Sequence, residues 1–451
     1  MHSNSLKHRV IKSGMFIFSG NALSQILRFV SNLIMTRLLA PDMFGLMALA
    51  SIFILGLNLL SDIGLKQILI QNKRSDDQFV NTVWTMQVIR GWLIWLFSII
   101  VSIIFFLLSK WQLLPVDSVY NDAQFPYIVA LIGLNSMIYG YEPTKVSFGN
   151  RNLTLKLNVT ITLISQLIGF FAMLIWAFVR PDVWALVVGS LVATFTNTVM
   201  SYFIIEGKRN HFYYDKSVSD EIFHFGKWIF ISSIMGFLVM SSDKLMLGAL
   251  VDAESLGYFA IAGLLVGAVV QLVGSMIHTV GFPALCETYR DNPSNLGNVF
   301  YKLRLPFDVL LLFTFSFLFV TADTVVQILY DNRYQSVGWI LQIMSICLFE
   351  VRYRLAGECF LAMGKPKLQS GLTFVNLVCL YTFGFSMYYF YGFEGLVWAV
   401  ACSALSTIPV ILFYLKKFQI LNWKKELMVL PVLVFGYVAG LLVNWVFGKL
   451  F

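Results

Sequence analysis

The sequence predicts an all-α polytopic membrane protein: two six-helix lobes related as a parallel repeat, plus one extra C-terminal helix. Three observations carry this expectation. Of the 451 residues, 58% are hydrophobic and only 12% are charged, against about 25% charged in soluble domains. Apolar segments of about 20 residues, enough to span a bilayer, recur along the whole chain. The opening of the chain is also echoed, in register, 212 residues later.

Thirteen apolar segments are candidate spans: 14–39, 43–63, 91–109, 124–144, 156–179, 183–205, 224–250, 256–281, 305–322, 336–362, 368–391, 395–415 and 427–448. Helices are expected because a lipid-exposed backbone must satisfy its own hydrogen bonds. The Leu/Ile/Phe runs also lack the strict alternation of a β-barrel. The first segment exceeds the roughly 7–15 apolar residues of a signal peptide and no cleavage motif follows it, so it reads as a retained helix. Residues 76–90, "DDQFVNTVWTMQVIR", are too short and polar to span. Phe79, Val83, Met86 and Arg90 recur at helical spacing there, which predicts an interfacial amphipathic helix. The longest polar stretch, "EGKRNHFYYDKSVSDE" at 206–221, reads as a cytoplasmic linker. The expected divisions are therefore an N-lobe at 1–205, the linker at 206–221, a C-lobe at 222–415 and an extra span within 416–451.

Placing the N-terminus in the cytoplasm puts 23 of the 32 Lys and Arg residues on the inner side and five on the outer side. That asymmetry follows the positive-inside rule. It also accounts for the net charge of +8 without nucleic acid or another acidic ligand. An odd number of spans leaves the C-terminus outside. The five cysteines form no CxxC or Cys/His cluster, so neither a disulfide framework nor a metal site is expected.

The echo is clearest between "TRLLAPDMFGLMALA" at 36–50 and "GALVDAESLGYFAIA" at 248–262. From 12 to 50, eight of 39 pairs are identical at this offset, including Gly14 with Gly226 and Gly45 with Gly257. Asp42 and Glu254 supply an acid just before Gly45 and Gly257. The offset covers six spans, so both copies cross in the same direction. Parallel repeats of this kind face each other across a central cavity and expose it alternately to either side.

Ionisable groups inside a membrane cost about 2.5–3.5 kcal/mol on insertion scales, so they mark protein interiors or water. Asn21, Gln25, Arg28 and Asn32 form one polar stripe at helical spacing. Arg28 reads either as a cavity cation for a diphosphate or sugar hydroxyls, or as a structural residue paired to an acid. Asp243 and Lys244 are adjacent, and so point about 100° apart. Asp243 reads as a structural pair or a cavity group, and Lys244 as a snorkelling or substrate-contacting cation. Glu350, Arg354 and Glu358 recur every four residues, as intrahelical ion pairs or a coupling site. Arg352 points to another face and reads as a second substrate cation or a structural partner.

"TRLLAPDMFGLMALASIFILGLNLLSDIGLKQILIQ" at 36–71, "SDKLMLGALVDAESLGYFAIA" at 242–262 and "LAMGKPKLQ" at 361–369 resemble bacterial polysaccharide flippases. Those flippases belong to the multidrug/oligosaccharidyl-lipid/polysaccharide superfamily, and the resemblance covers about residues 10–415. It implies a bacterial inner-membrane flippase for undecaprenyl-diphosphate-linked oligosaccharide, from the cytoplasmic to the periplasmic leaflet. Its implied partners are that substrate, membrane lipid, and a polymerase and glycosyltransferases of the same pathway. No cofactor is implied, and the thirteenth span lies outside the twelve-helix pattern. Three other readings stay open: a drug/cation antiporter of the same superfamily, a membrane glycosyltransferase or polymerase, and a structural scaffold. Short outer loops speak against a polymerase. The chain carries no GxxxxGK[ST], HExxH or GxSxG motif.

Overall fold

The computed structural model describes residues 2–62, 64, 65, 69, 76–115, 118–147 and 156–450. The side chains of 2–18, Asn21, Leu60, Leu450 and most of 221–240 lie outside that description. Lys66, Lys73, Arg74 and Arg151, four of the 23 Lys and Arg placed on the inner side, lie outside it too.

The helices are α1 (His2–Leu38), α2 (Pro41–Leu60), α3 (Asp77–Lys110), α4 (Phe125–Ile132), α5 (Leu134–Gly140), α6 (Lys156–Val179), α7 (Trp184–Ile204) and α8 (Lys216–Leu250). They continue as α9 (Ala253–Met276), α10 (Phe282–Asp291), α11 (Leu296–Leu329), α12 (Val337–Ser345), α13 (Cys347–Val351) and α14 (Arg354–Ala362). The chain ends with α15 (Pro366–Ser403), α16 (Thr407–Lys417), α17 (Trp423–Met428) and α18 (Pro431–Leu450). Each of the thirteen apolar segments overlaps one or more of these helices, and no strand occurs among the described residues. Eight helical stretches among the described residues are long and apolar enough to cross a membrane.

Helix ends follow local chemistry. Pro41 opens α2, where its missing N–H costs nothing. The Asp76 carboxylate caps α3 by accepting from the Phe79 amide at 3.2 Å. Asp215 caps α8 through the Ser217 and Val218 amides. Within α15, Gly392 adopts φ 60° and ψ −141°, which splits the helix into two arms. Gly395 then packs on the Met387 carbonyl, a contact that a continuous helix cannot make. The two arms match the separate segments expected at 368–391 and 395–415.

The chain divides into two compact units, Met1–Gly257 and Tyr258–Phe451. In the first, α6 packs along α7, α1 packs on α6, and α2 packs on α8. Ser24 Oγ donates to Gln166 Oε1 at 2.8 Å between α1 and α6.

Residues 76–90 do not form the separate interfacial helix expected from sequence. Residues 77–90 are the N-terminal part of α3, a single helix of 34 residues that Asp76 caps. Phe79, Val83 and Met86 face protein, not headgroups, and cluster with Leu65, Leu69, Val218 and Ile222. The polar face beside them is covered by the stretch expected as a linker. The amides of His211, Tyr213 and Asp215 donate to Asn81 Oδ1 (3.2 Å), Thr85 Oγ1 (3.1 Å) and Thr82 Oγ1 (3.2 Å). These bonds explain why Asn81, Thr82 and Thr85 are buried.

In the second unit, α11 packs against α12 and α18. Asn444 of the thirteenth span accepts from Thr324 Oγ1 at 2.7 Å and donates to the Val320 carbonyl at 2.9 Å. Polar bonds between apolar helices of this kind hold a span in place within lipid.

Candidate functional site

On α1, Leu23, Ile26, Val30 and Ile34 form an exposed apolar face. At 100° per residue, Arg28 points roughly 150–160° away from that face. Arg28 is exposed and makes no ion pair among the described residues. Gln25 and Asn32 are half-buried on the same side. Asn32 Oδ1 is buried without a hydrogen-bond donor among the described residues. The side chain of Asn21, the fourth member of the stripe, lies outside the description. The first helix thus turns one apolar side outward and presents a cation on the opposite side.

Asp243 and Lys244 are both half-buried on α8, with no ion pair between them. Close by, the C-terminal end of α8 is held by the loop after α3. Ser118 Oγ donates to the Gly248 carbonyl (3.0 Å), Tyr120 Oη to the Leu245 carbonyl (3.0 Å), and the Val119 amide to the Val251 carbonyl (3.2 Å). Of these, the bond to Gly248 satisfies one of the four carbonyls that the helix end leaves orphaned.

Next to this clasp, the two copies of the repeated corner touch. A Cβ added to Gly45 would strike the Ala253 carbonyl oxygen, and one added to Gly257 would strike the Pro41 carbonyl oxygen. At the repeat offset, Pro41 corresponds to Ala253 and Gly45 to Gly257. The two contacts are therefore the same contact made twice, as around a local two-fold axis.

The second unit divides its expected charges into two groups. Arg352, expected as a substrate cation or a structural partner, is 1% exposed and lies in an internal network. Its guanidinium meets Asp308 Oδ1 at 3.2 Å and Glu426 Oε2 at 3.0 Å. Arg304 joins the same two acids, at 3.1 Å from Asp308 and through a two-pronged contact with Glu426. Tyr301 and Tyr353 donate to Glu426 at 2.9 and 3.1 Å. The Arg304 guanidinium also lies 4.4 Å from the Tyr353 ring centre. Two cations balance two acids here, which leaves no net charge for a ligand.

Glu350, Arg354 and Glu358 form the other group. Arg354 Nε is 3.9 Å from Glu350 Oε2 and its side chain is half-exposed. Glu358 instead turns to His278, at 3.5 Å from Nδ1. His278 was not singled out from the sequence. It lies in a π-helical turn, Ile277–Gly281, just before Pro283. Proline has no N–H for the preceding turn, and single π-turns of this kind re-aim side chains. The readable signal was Pro283 within an apolar segment. Arg304, Asp308 and Glu426 were also missed as a set, because the network joins α11, the turn after α13 and α17, which are far apart in sequence. Between α5 and α7, Lys145 Nζ donates to the Tyr202 carbonyl at 2.7 Å, and burial holds its ammonium below the usual lysine range.

No described group of His, Cys, Asp and Glu residues could hold a metal ion.

The profile of a family described as "Polysaccharide biosynthesis protein" matches residues 34–338. An "Uncharacterized membrane protein in cps region" of Klebsiella pneumoniae is 22% identical over 420 residues, 91% of this chain and 83% of that protein. The "Lipopolysaccharide biosynthesis protein WzxC" of Escherichia coli strain K12 is 21% identical over 343 residues, 76% of this chain and 67% of that protein. Among solved structures, "Lipid II flippase MurJ, inward closed conformation" superposes with a TM-score of 0.65 at 12% identity, covering 96% of this chain and 98% of that one. An inward-facing multidrug resistance MATE family transporter also gives 0.65 at 12% identity, covering 88% and 94%. At such identity the structural likeness carries the fold: a multi-pass helical transporter architecture.

Proposed function

The chain belongs to the polysaccharide biosynthesis protein family, and from that premise we propose that it is a flippase of the bacterial inner membrane. It moves a diphosphate-linked oligosaccharide lipid from the cytoplasmic to the periplasmic leaflet, for surface polysaccharide assembly. The N-terminus is cytoplasmic, and a polymerase and glycosyltransferases of the pathway supply and consume the substrate.

The observation that carries the substrate class is Arg28. A diphosphate loses hydration as it crosses, and an isolated anion in a low-dielectric interior is costly. A cation opposite the lipid-facing side of α1, with no acid paired to it among the described residues, offsets that cost. Its planar fork suits paired phosphate oxygens. A cationic drug would meet repulsion at the same place, which favours the flippase over the antiporter. Lys244 is a snorkelling or substrate-contacting cation, while Asp243, Glu350, Arg354 and Glu358 are coupling or structural groups, and the exposed His278 beside Glu358 supplies a further donor in the second unit.

The repeated corner provides the moving part. Pro41–Gly45 against Ala253–Gly257, fastened by Ser118 and Tyr120, acts as an outer gate in its closed state. Opening it would release the substrate to the periplasm.

The test is deletion of the chromosomal copy, complemented by wild type or Arg28→Ala. Loss of surface polymer with build-up of lipid-linked oligosaccharide in the inner leaflet is expected, with restoration by wild type only. Normal polymer in the deletion strain, with raised sensitivity to cationic drugs, would favour the antiporter.

A further inference from the structure

A cavity of about 240 Å³ opens in the first unit, lined by the inner end of α2 and by α3 and α5. Its polar lining is Asn58, Asp62, Gln87, Arg90, Ser136 and Tyr139. None of these residues belongs to the α1 stripe, the corner or the Arg304 network.

The lining is held in place by its own bonds. Asn58 Nδ2 donates to the Ile54 carbonyl and to Ser136 Oγ, both at 2.8 Å. Gln87 Nε2 donates to the carbonyls of Gly140 and Glu142, both at 3.0 Å. Arg90 Nε donates to Ser61 Oγ at 3.1 Å, and Nη2 donates to the Asn58 carbonyl. A guanidinium carries five N–H donors, so Arg90 keeps donors beyond these two bonds. Asp62 lines the same cavity and acts on Arg90 through space, and no hydrogen bond or ion pair joins the two among the described residues.

A fixed cation and a carboxylate that face one cavity without a direct bond between them select for an uncharged ligand. An anion is repelled by Asp62 and a cation by Arg90. A polyol serves both, because a hydroxyl accepts from the guanidinium and donates to the carboxylate. Tyr139 is 41% exposed at this cavity. An exposed ring offers a face to the C–H side of a pyranose. The volume lies below the roughly 300–1,000 Å³ of sites for drug-sized ligands, which leaves room for one sugar ring. Trp92 Nε1 donates to Tyr141 Oη at 3.0 Å beside it. Such amphipathic aromatics mark the membrane–water interface, where headgroups lie.

We propose that this cavity is a monosaccharide subsite that takes one neutral sugar residue of the substrate at the inner membrane surface. The proposal rests on the flippase reading for the origin of that sugar. The same polyol chemistry is carried by a glycerol headgroup, and the test separates the two.

Saturation-transfer NMR on the purified full chain in detergent, with free glucose, galactose and N-acetylglucosamine as probes, reads the subsite directly. At least one sugar should bind, at least tenfold more weakly in both Arg90→Met and Asp62→Asn. Asp62→Asn keeps the side-chain shape, so it guards against a folding defect in the arginine variant. Equal sugar signals in wild type and Asp62→Asn, or none in wild type, would overturn the proposal. So would full competition by phosphatidylglycerol, but not phosphatidylethanolamine, in nanodiscs, since the occupant would then be a lipid headgroup. None of these outcomes depends on polymer export, so the subsite and the flippase reading fail independently.

Discussion

Gly45 and Gly257 stand against each other's helices: a Cβ on Gly45 would lie 2.8 Å from the Gly257 amide nitrogen, and one on Gly257 would lie 3.3 Å from the Gly45 amide nitrogen. Each also faces a backbone carbonyl, which cannot move aside as a flexible side chain could. Gly45→Ala and Gly257→Ala should each wedge the corner open. Overpacking of this kind costs about 1–3 kcal/mol, a shift of roughly 5- to 150-fold away from the closed corner. Both variants should insert normally and export less polymer. Because the two contacts share one interface, the double variant should lose less than the two single losses combined. Wild-type export from either variant would remove the corner from the mechanism.

The clasp beside that corner predicts a milder effect. Tyr120→Phe removes the bond to the Leu245 carbonyl and keeps the ring. A lost hydrogen bond of this kind is worth about 0.5–1.5 kcal/mol. The readout is the labelling rate of an Ala253→Cys variant, lacking the native cysteines, by a membrane-impermeant maleimide. The rate should rise several-fold with Tyr120→Phe, and an unchanged rate would exclude Tyr120 as a fastener.

Arg28 predicts a functional defect without a folding defect. It is exposed and pairs with no described acid, so Arg28→Ala strands no buried charge. Membrane protein level should stay near wild type while surface polymer is lost. Arg28→Lys keeps the charge but not the fork, and should retain part of the export. Normal polymer with Arg28→Ala would rule the residue out.

Glu426 predicts the opposite pattern. It faces both Arg304 and Arg352, which are 0% and 1% exposed. Glu426→Ala would leave two buried guanidinium groups short of acid, and breaking such a pair costs about 3–5 kcal/mol. The protein should fall in abundance and melt lower in detergent, whichever substrate is present. Glu426→Gln should fail similarly, because the shape survives and the charge does not. Wild-type abundance and melting for both variants would contradict the network's structural role.

Topology reporters test the orientation. A fusion near Asn210 should report cytoplasm, and one near Asp122 should report periplasm. Asn210 accepts from the Thr144 amide at 3.0 Å, so the fusion is placed after a truncation there and not as an internal insertion. The reverse pattern would invert every inner and outer assignment made here.

Hydropathy, helix ends and the repeated corner were legible in the sequence because each is a local property. A span needs about 20 apolar residues in a row, and caps such as Asp76 and Asp215 act within three residues of themselves. The family resemblance likewise rested on contiguous motifs such as "TRLLAPDMFG". Local periodicity also found the polar stripe of Gln25, Arg28 and Asn32. Whether that stripe faced an acid or open space was decided by tertiary structure. The same holds for Arg352, whose acids lie 44 residues before it and 74 after it on other helices. Residues 76–90 looked interfacial because their apolar face had no visible partner; α8 supplies that partner, and the 206–215 strap covers the polar face. Such pairings form only once distant segments pack, and the energy of a buried charge depends on which of them arrives beside it.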